Sequence, residues 1–343
     1  MLMADPAFVS VGAVGPADGT ALALLNDYQR DFPLVSRPFA RIGREIGWCE
    51  AQVVDQLGVW LADGTLSRVG PVFAPRRIGA STLAALKAPP AALAEVAERV
   101  SAHPEVNHNY AREHVWNLWF VLTAPDTVRL ARVLRKIRRD TGCPVIALPL
   151  RTEFHIDLGF DLIHGRRAAC ARPLVPPAAR ALADDERDLL AALQAGLPLQ
   201  CRPFAAVARR AGLAEAAVID RIATWLDEGI LKRFGVIVRH HELGYRANAM
   251  CVWDVPDRLV AAAGARLASA DGVNLCYRRA RAGRHWPYNL YCMIHGHDRG
   301  TVMARLARIR AECALDDYPG EVLFSTRRFK QCGARYAAEA THG

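Results

Sequence analysis

Apolar and polar residues alternate along the chain with two periods, one typical of helices and one typical of strands. Over 50–62 the apolar residues have helical spacing, and the segment stops at Asp63-Gly64. A shorter helix is predicted over 37–47, where it ends at a glycine, and residues 66–73 predict a wing-like strand pair. Helix, tight turn, helix and wing together predict a winged helix-turn-helix.

The same pattern returns in the second half of the chain, over 202–212, 215–226 and 231–238. Aligning Trp60 with Trp225 sets an offset of 225 − 60 = 165, and further pairs coincide at that offset without a gap. These pairs are Pro33/Pro198, Arg37/Arg202, Phe39/Phe204, Gly47/Gly212, Asp55/Asp220, Gly64/Gly229, Arg68/Arg233 and Gly79/Gly244. The chain therefore contains an internal duplication.

After each helix-turn-helix the periodicity predicts the order strand, helix, strand, strand, helix, strand. In the first half these elements are 80–87, 90–101, 105–110, 116–123, 126–141 and 144–150. In the second half they are 245–254, 257–269, 273–279, 287–295, 298–313 and 319–326. This order predicts a ferredoxin-like sandwich, an antiparallel sheet with two helices on one face. The predicted fold class is α+β, with the two-domain unit duplicated as a pseudo-dimer in one chain.

The predicted domain boundaries follow from this pattern and from one aperiodic stretch rich in Pro, Arg and Ala, which indicates a linker. The segments are an N-terminal tail (1–19), helix-turn-helix 1 (20–75), ferredoxin-like domain 1 (76–163), the linker (164–183), helix-turn-helix 2 (184–240), ferredoxin-like domain 2 (241–336) and a C-terminal tail (337–343).

The composition is that of an ordinary globular protein, apart from its charge. The 343 residues are 52% apolar and 23% charged, and the net charge of +9 indicates an anionic partner. Nine scattered cysteines without C-x-x-C spacing predict neither a zinc site nor a disulfide framework, and they favour a reducing compartment. Since no signal sequence and no apolar run of membrane-spanning length is present, we expect a cytoplasmic protein.

The residues that carry chemistry concentrate in the middle strands of each sandwich. His108, Tyr110 and Arg112 alternate with other residues, so they share one face of a strand. Trp116 and Trp119 follow on the next predicted strand, where alternation would place them on opposite faces. The second half repeats this mixture of aromatic and basic residues over 273–279 and 285–295.

The duplicated unit of a winged helix-turn-helix followed by a βαββαβ domain resembles the Lrp/AsnC family of regulators, which work as dimers. The strand motifs more closely resemble the siroheme decarboxylases. H-N-Y-x-R-x-H-x-x-N-L-W-F over 108–120 is similar to the signature of one subunit of these enzymes. Four motifs are similar to the signature of the partner subunit. They are C-Y-R-R over 276–279, W-P-Y-N-L-Y-C-M-I-H-G over 286–296, L-F-S-T-R-R-F-K over 323–330 and R-H-H-E-L-G-Y over 239–245. The resemblance covers about residues 20–336 and implies a natural fusion of two subunits.

This resemblance implies a carboxy-lyase that converts siroheme to 12,18-didecarboxysiroheme, by loss of CO2 from two acetate side chains. The product leads to heme d1 or to heme, and the fusion favours heme d1 and denitrification. Siroheme and related iron tetrapyrroles are the implied partners, and neither nucleic acid nor a membrane is expected. No cofactor or protein-held metal is expected, because the iron belongs to the substrate. Whether a histidine of the protein binds that iron is left open. It is also left open whether the chain forms a homodimer or associates with other decarboxylase subunits.

Such a reaction needs cations for the retained carboxylates, flat apolar surface for the ring and a proton donor. The candidate proton donors are His108, His114, Tyr110 and Tyr277. The candidate substrate-binding residues are Arg112, Asn117, Trp119, His155, His240, His241, Arg278, Arg279, Arg284, His285, Trp286, Tyr288, Asn289, Arg327, Arg328 and Lys330. Asn117 and Asn289 occupy matching positions and also fit a bulge or turn.

The two halves differ at these motifs. Where the first half has His108, the second has Leu275, and where the second has His240-His241, the first has Pro75-Arg76. We therefore hypothesise that the two pockets are unequal and that only one of them carries out the reaction.

Two other functions remain open, a DNA-binding regulator of the Lrp/AsnC type and a heme or tetrapyrrole sensor without catalysis. The second helix of each helix-turn-helix argues against DNA binding. Residues 50–63 contain three acidic and no basic residues, and 215–228 contain four acidic residues and one arginine. Each helix has a net charge of −3, which the phosphates of a duplex would repel. We expect these modules to serve dimerisation or scaffolding.

Overall fold

The computed structural model describes residues 19–74, 77–156, 182–238, 247–334 and 336. The helices are α1 (Gly19–Asp27), α2 (Pro38–Ile46), α3 (Glu50–Ala62), α4 (Leu93–Ser101), α5 (Thr127–Thr141), α6 (Asp184–Leu193), α7 (Pro203–Ala211), α8 (Glu215–Asp227), α9 (Val260–Ser269) and α10 (Arg299–Glu312). The strands are β1 (Leu66–Phe73), β2 (Ala80–Leu86), β3 (Val106–Arg112), β4 (Leu118–Ala124), β5 (Val145–Ile156), β6 (Leu231–Val238), β7 (Ala247–Trp253), β8 (Leu275–Arg279), β9 (Leu290–Gly296) and β10 (Gly320–Gln331). No described helix is long and apolar enough to cross a bilayer.

The two helix-turn-helix modules are joined by a two-stranded ribbon. The prediction of a wing-like strand pair within 66–73 was wrong, because β1 is a single strand that pairs antiparallel with β6 of the other half. Gly70 lies opposite Gly235, its equivalent at the offset of 165, so the ribbon is centred on the pseudo-twofold axis. The backbone N–H and C=O groups along one edge of each strand therefore pair with those of the strand from the other half. Phe39, Trp60, Phe204 and Trp225 belong to one shared apolar core.

The remaining strands form one closed barrel in the order β10-β3-β4-β2-β5-β8-β9-β7. Each half contributes the four strands of a ferredoxin-like sheet, and the halves meet where β3 pairs with β10 and β5 pairs with β8. The predicted duplicated α+β fold is confirmed, and closure of the two sheets into one barrel leaves neither with an open edge.

The barrel has separate outer and inner layers because strand residues alternate between faces. Outward residues of the first half, such as Leu86 and Phe120, pack under α4 and α5, and those of the second half pack under α9 and α10. The inner layer contains large side chains, which are Trp119, Met250, Trp286, Tyr291 and Leu323 together with smaller neighbours. The chemically distinctive residues of the strands also lie on this inner side.

The two ends of the barrel differ. Neighbouring strands are antiparallel, so the β3–β4 and β8–β9 connections lie at the same end. There the indole of Trp116 donates to the carbonyl of His285 at 3.2 Å, and the rings of Trp119 and Trp286 have centroids 4.8 Å apart. We call this the plugged end. The opposite end lies against the β1–β6 ribbon, where Lys232 of β6 pairs with Glu153 of β5, and we call it the ribbon end.

The turn of the first-half hairpin lies two residues later than predicted. Strand β3 continues to Arg112 and β4 begins at Leu118, so Trp116 lies in the connecting loop. The expectation that Trp116 and Trp119 occupy opposite faces was therefore wrong, since both pack into the inner cluster at the plugged end. The indole of Trp119 donates to the carbonyl of Trp116 at 2.6 Å, which holds the loop over the strand.

Candidate functional site

The strand face predicted for His108, Tyr110 and Arg112 is turned into the barrel. The imidazole of His108 stacks on the ring of Tyr110 at a centroid distance of 6.3 Å and an angle of 15°. The guanidinium of Arg112 lies 5.9 Å from the centre of the same ring, further toward the plugged end. On β10, Arg328 lies opposite Tyr110 and Gln331 lies opposite His108. We call these residues the first-half site.

An equivalent set lies across the barrel on β8, at an offset of 277 − 110 = 279 − 112 = 167. Arg279 lies 5.0 Å from the ring centre of Tyr277, as Arg112 lies over Tyr110. Leu275 replaces His108 at this offset, and Glu153, which pairs with Lys232, lies opposite Tyr277. We call this the second-half site.

Each site needs both halves of the chain. Arg112 of β3 donates to the carbonyl of Leu323 in β10 at 2.8 Å, and Arg279 of β8 donates to the carbonyl of Leu148 in β5 at 3.1 Å. The two arginines therefore hold the seams where the halves join.

Burial shifts the titration of these groups. The pKa of the His108 imidazole is lowered to about 4, chiefly by burial and further by the positive charge of Arg68 on β1. Burial also lowers the pKa of Arg112 to about 10 and raises that of the Tyr277 phenol to about 12. At neutral pH both guanidiniums remain charged, His108 is neutral, and Tyr277 keeps its proton.

Exposure increases from the plugged end to the ribbon end. Trp119 is 2% exposed, the rings of His108 and Tyr110 are half-buried, and Arg328 is exposed. Solvent therefore reaches the inner layer from the ribbon end, and a ligand of the barrel would contact the first-half site from there.

Several predicted site residues lie elsewhere. His114 is at the plugged end, where Nδ1 accepts from the backbone N–H of Trp116 at 2.9 Å and Nε2 lies 3.2 Å from Glu321. The phenol of Tyr288 donates to the same carboxylate at 2.9 Å. Arg284 and His285 are exposed in the loop that covers this end, and Trp286 is buried in the plug. The proton-donor role of His114 stays a prediction.

The two asparagines fasten loops to the barrel. The amide of Asn117 donates to the carbonyl of Ala88 and accepts from its N–H, each at 2.9 Å. Asn289 makes the same pair of bonds with Val255, at 2.9 and 3.0 Å. Because backbone groups occupy both ends of each amide, we leave both out of the proposed binding set.

Three basic candidates point away from the barrel interior. Arg278 lies 3.1 Å from Asp257, and Arg327 stacks on Phe329, which packs under the first-half helices. Lys330 donates to the carbonyls of Ser101 and His103 after α4, at 2.7 and 3.1 Å. These contacts turn the three cations away from the inner layer, and their role in substrate binding stays a prediction. His155 lies near the ribbon end opposite Cys276, and His240 and His241 lie outside the described residues.

The sequence interpretation missed Arg68 and the Lys232–Glu153 pair. Arg68 was noticed only as a repeat position shared with Arg233. Its approach to His108 depends on how the ribbon lies against the barrel, which strand periodicity does not predict.

Comparison with known proteins agrees with this architecture. A family model described as the siroheme decarboxylase NirDL-like HTH domain matches residues 22–66 and 186–231, and the AsnC-like ligand binding domain matches 77–155 and 242–330. The siroheme decarboxylase NirDL subunit of Paracoccus denitrificans (strain Pd 1222) is 46% identical over 324 residues, covering 94% of this chain and 99% of the relative. The chain belongs to the siroheme decarboxylase NirDL family.

Two further matches sharpen this assignment. The NirD subunit of the siroheme decarboxylase of Pseudomonas aeruginosa PAO1 is 50% identical over 145 residues, covering 42% of this chain and 97% of that subunit. A crystal structure of the siroheme decarboxylase NirDL in co-complex with an iron-uroporphyrin III analogue has a TM-score of 0.66 and 27% identity, covering 93% of each chain. The family resemblance of the strand motifs is confirmed, and a half-length relative agrees with a fusion of two subunits.

Proposed function

We propose that this chain decarboxylates siroheme at the first-half site, giving 12,18-didecarboxysiroheme on the route to heme d1. The observation that carries the proposal is the placement of guanidiniums inside the barrel without acidic partners. Arg112 is buried, its Nε has no hydrogen-bond partner, and no carboxylate pairs with Arg112 or Arg279 among the described residues. Buried cations are normally paired, so an anionic ligand with several carboxylates fits this surface.

The reaction needs one proton for each carboxyl group that leaves. The bond between the methylene and carboxyl carbons breaks, CO2 departs, and the electron pair remains on the methylene, delocalised into the ring. A proton then converts the methylene to a methyl group. His108 is the group we assign to this transfer, because its imidazole lies in the inner layer of the barrel beside Tyr110 and Arg112.

The protonation of His108 depends on the ligand. In the free protein burial and Arg68 hold its pKa near 4, so it carries no proton to give at neutral pH. Bound carboxylates would offset the charge of Arg68 and raise the pKa of His108, because a nearby anion favours the imidazolium. The imidazole would then take a proton from solvent when substrate binds and deliver it to the methylene.

The helix-turn-helix modules favour the rival function, a DNA-binding regulator, but the arrangement of their second helices does not. Ser36 donates to Glu215, the first residue of α8, at 3.0 Å, and its neighbour Arg37 pairs with Glu50, the first residue of α3. The first residues of α3 and α8 are therefore bound by two consecutive residues, Ser36 and Arg37. Recognition helices of DNA-binding dimers enter grooves about 34 Å apart. We infer that these modules do not bind DNA.

Incubation of the purified chain with siroheme, followed by mass spectrometry of the pigment, tests the proposal. Loss of two CO2 per siroheme is the expected result. An altered absorption spectrum without loss of CO2 would instead favour a sensor, and salt-sensitive DNA binding in a gel-shift assay at low salt would favour a regulator. Pairing with a second copy or with other decarboxylase subunits stays a prediction.

A further inference from the structure

Arg68 belongs to the ribbon, yet its guanidinium reaches the barrel. The side chain passes over Gly196, where an added Cβ would lie 3.0 Å from the Cβ of Arg68. Its end lies against Gly333, where an added Cβ would be 2.6 Å from Nη1. Gly333 follows Gln331, the cross-strand partner of His108, by two residues. The guanidinium therefore lies beside the first-half site.

The guanidinium of Arg68 is incompletely satisfied. Nη2 donates to the carbonyl of Pro71 at 2.8 Å, while Nε is buried and has no hydrogen-bond partner among the described residues. No ion pair in the described part of the chain involves this arginine. Leaving a buried charge without a counter-ion is strongly unfavourable, so this arrangement points to an anion that is supplied from outside.

The repeat provides a direct contrast. Arg233, the equivalent of Arg68 at the offset of 165, is 7% exposed and donates to two backbone carbonyls of the helix-turn-helix core, those of Gln29 and Val236, whereas Arg68 donates to one. The same repeat position thus serves packing in one half and faces a site in the other.

Two cations on the surface of the first half do have acidic partners. In the surface cleft between α4 and α5, Arg129 lies 2.5 Å from Glu105 and Lys136 lies 2.7 Å from Asp140. The absence of a carboxylate at Arg68 is therefore not a general property of this basic chain.

We propose that Arg68 binds a carboxylate of the tetrapyrrole, so that the helix-turn-helix ribbon forms part of the substrate site. This inference rests on the proposed function and deepens it. Because only Nη2 of the Arg68 guanidinium makes a hydrogen bond among the described residues, donors on Nε and Nη1 remain for a carboxylate. Arg68 is thus a positioning residue: it holds the ring against His108 and Tyr110 from the ribbon end, and Arg112 binds further in. The duplicated modules are then part of the binding machinery as well as a scaffold.

The test compares R68Q and R68K with R210Q, which removes an exposed charge from α7 away from the barrel. Binding of iron uroporphyrin III, which has eight carboxylates, and of iron protoporphyrin, which has two, is measured by absorption titration. R68Q should weaken iron uroporphyrin binding about 10- to 100-fold, R68K should recover part of it, and R210Q should match wild type. Iron protoporphyrin binding should change less than threefold, which a general loss of structure would not produce.

Turnover of siroheme gives a second measurement. For R68Q we expect KM to rise by a larger factor than kcat falls, because the lost contact is made to the bound substrate as well as in the transition state. Equal iron uroporphyrin binding by wild type and R68Q would overturn this inference alone. Absence of binding by wild type would overturn both this inference and the proposed function, whereas binding without CO2 loss would overturn only the catalytic part of that function.

Discussion

The first-half and second-half sites are built on the same repeat but have different electrostatics. Both place a tyrosine and an arginine on the inner face of a middle strand, and both use that arginine to hold a carbonyl of the opposite half. The first site adds His108 and, on the facing strand, Arg328. The second has Leu275 and Glu153 at the corresponding places.

This difference indicates which site binds the substrate. The carboxylate of Glu153 would repel a polyanion, and its pairing with Lys232 uses the one nearby cation of the ribbon that could offset it. Near the first site, the ribbon residue Arg68 has no carboxylate partner among the described residues. Duplication supplies the two sheets that close the barrel, and we propose that divergence restricts the reaction to one of the two sites.

Removing the imidazole of His108 should have the largest effect on activity and should show most clearly how the two sites differ. We expect H108A to lower the rate of CO2 loss by on the order of 10²–10⁴, since a positioned acid contributes that much. The matched variant L275A should keep activity within about threefold, because Leu275 offers no proton. Both are measured as initial rates by mass spectrometry. Comparable losses in the two variants would mean that the sites are equivalent.

A stability measurement tests the burial of His108 without substrate. Its pKa near 4 lies below the unfolded value of about 6.5, so the unfolded chain takes up a proton first as pH falls. The stability that neutral His108 contributes is therefore complete above about pH 6.5 and decreases between pH 6.5 and 4, by about 3 kcal/mol. Between pH 6.5 and 4, the free energy of unfolding measured in urea should decrease more steeply with falling pH for wild type than for H108Q. Parallel pH profiles would show that His108 is not desolvated.

Reversing a charge at the entrance should have a smaller effect. R328E gives the first site the acidic residue of the second, and we expect about tenfold weaker binding of iron uroporphyrin III at low salt, approaching wild type at about 1 M salt. The neighbouring variant R327E is the control, because Arg327 stacks on Phe329 outside the barrel. If R327E weakens binding as much as R328E, general surface charge and not the site controls affinity.

Removing single phenol oxygens should give the smallest effect. Y110F should lower kcat about 5- to 10-fold, because Tyr110 stacks on His108, and Y277F should lower it by less than about twofold. Steady-state kinetics with siroheme measures both. A larger loss of kcat for Y277F than for Y110F would indicate that the reaction takes place at the second-half site.

Much of the fold could be predicted from periodicity, whereas the positions of side chains between strands could not. The duplication and the helix and strand order follow from spacings within one segment, such as the apolar stripe of α3. The pairing of β1 with β6 and the closing of the barrel join residues more than 100 positions apart, and no local pattern predicts them.

Prediction of the site from the sequence has the same limit, because local patterns do not give the contacts between strands. Strand alternation correctly placed His108, Tyr110 and Arg112 on one face. Alternation along β10 separates Arg328, which faces the site, from its neighbour Arg327. It does not separate Arg328 from Lys330, because a bulge between these two residues shifts the register. Asn117 and Asn289 were grouped with the ligands because they stand in the same motifs, although their contacts are to backbone.

A crystal structure of this chain with iron uroporphyrin III tests the central claim most directly. We predict the macrocycle at the ribbon end of the barrel, against His108 and Tyr110, with its carboxylates on Arg112 and Arg68. A macrocycle bound over Tyr277 and Leu275, or outside the barrel in the cleft between α4 and α5, would contradict the account.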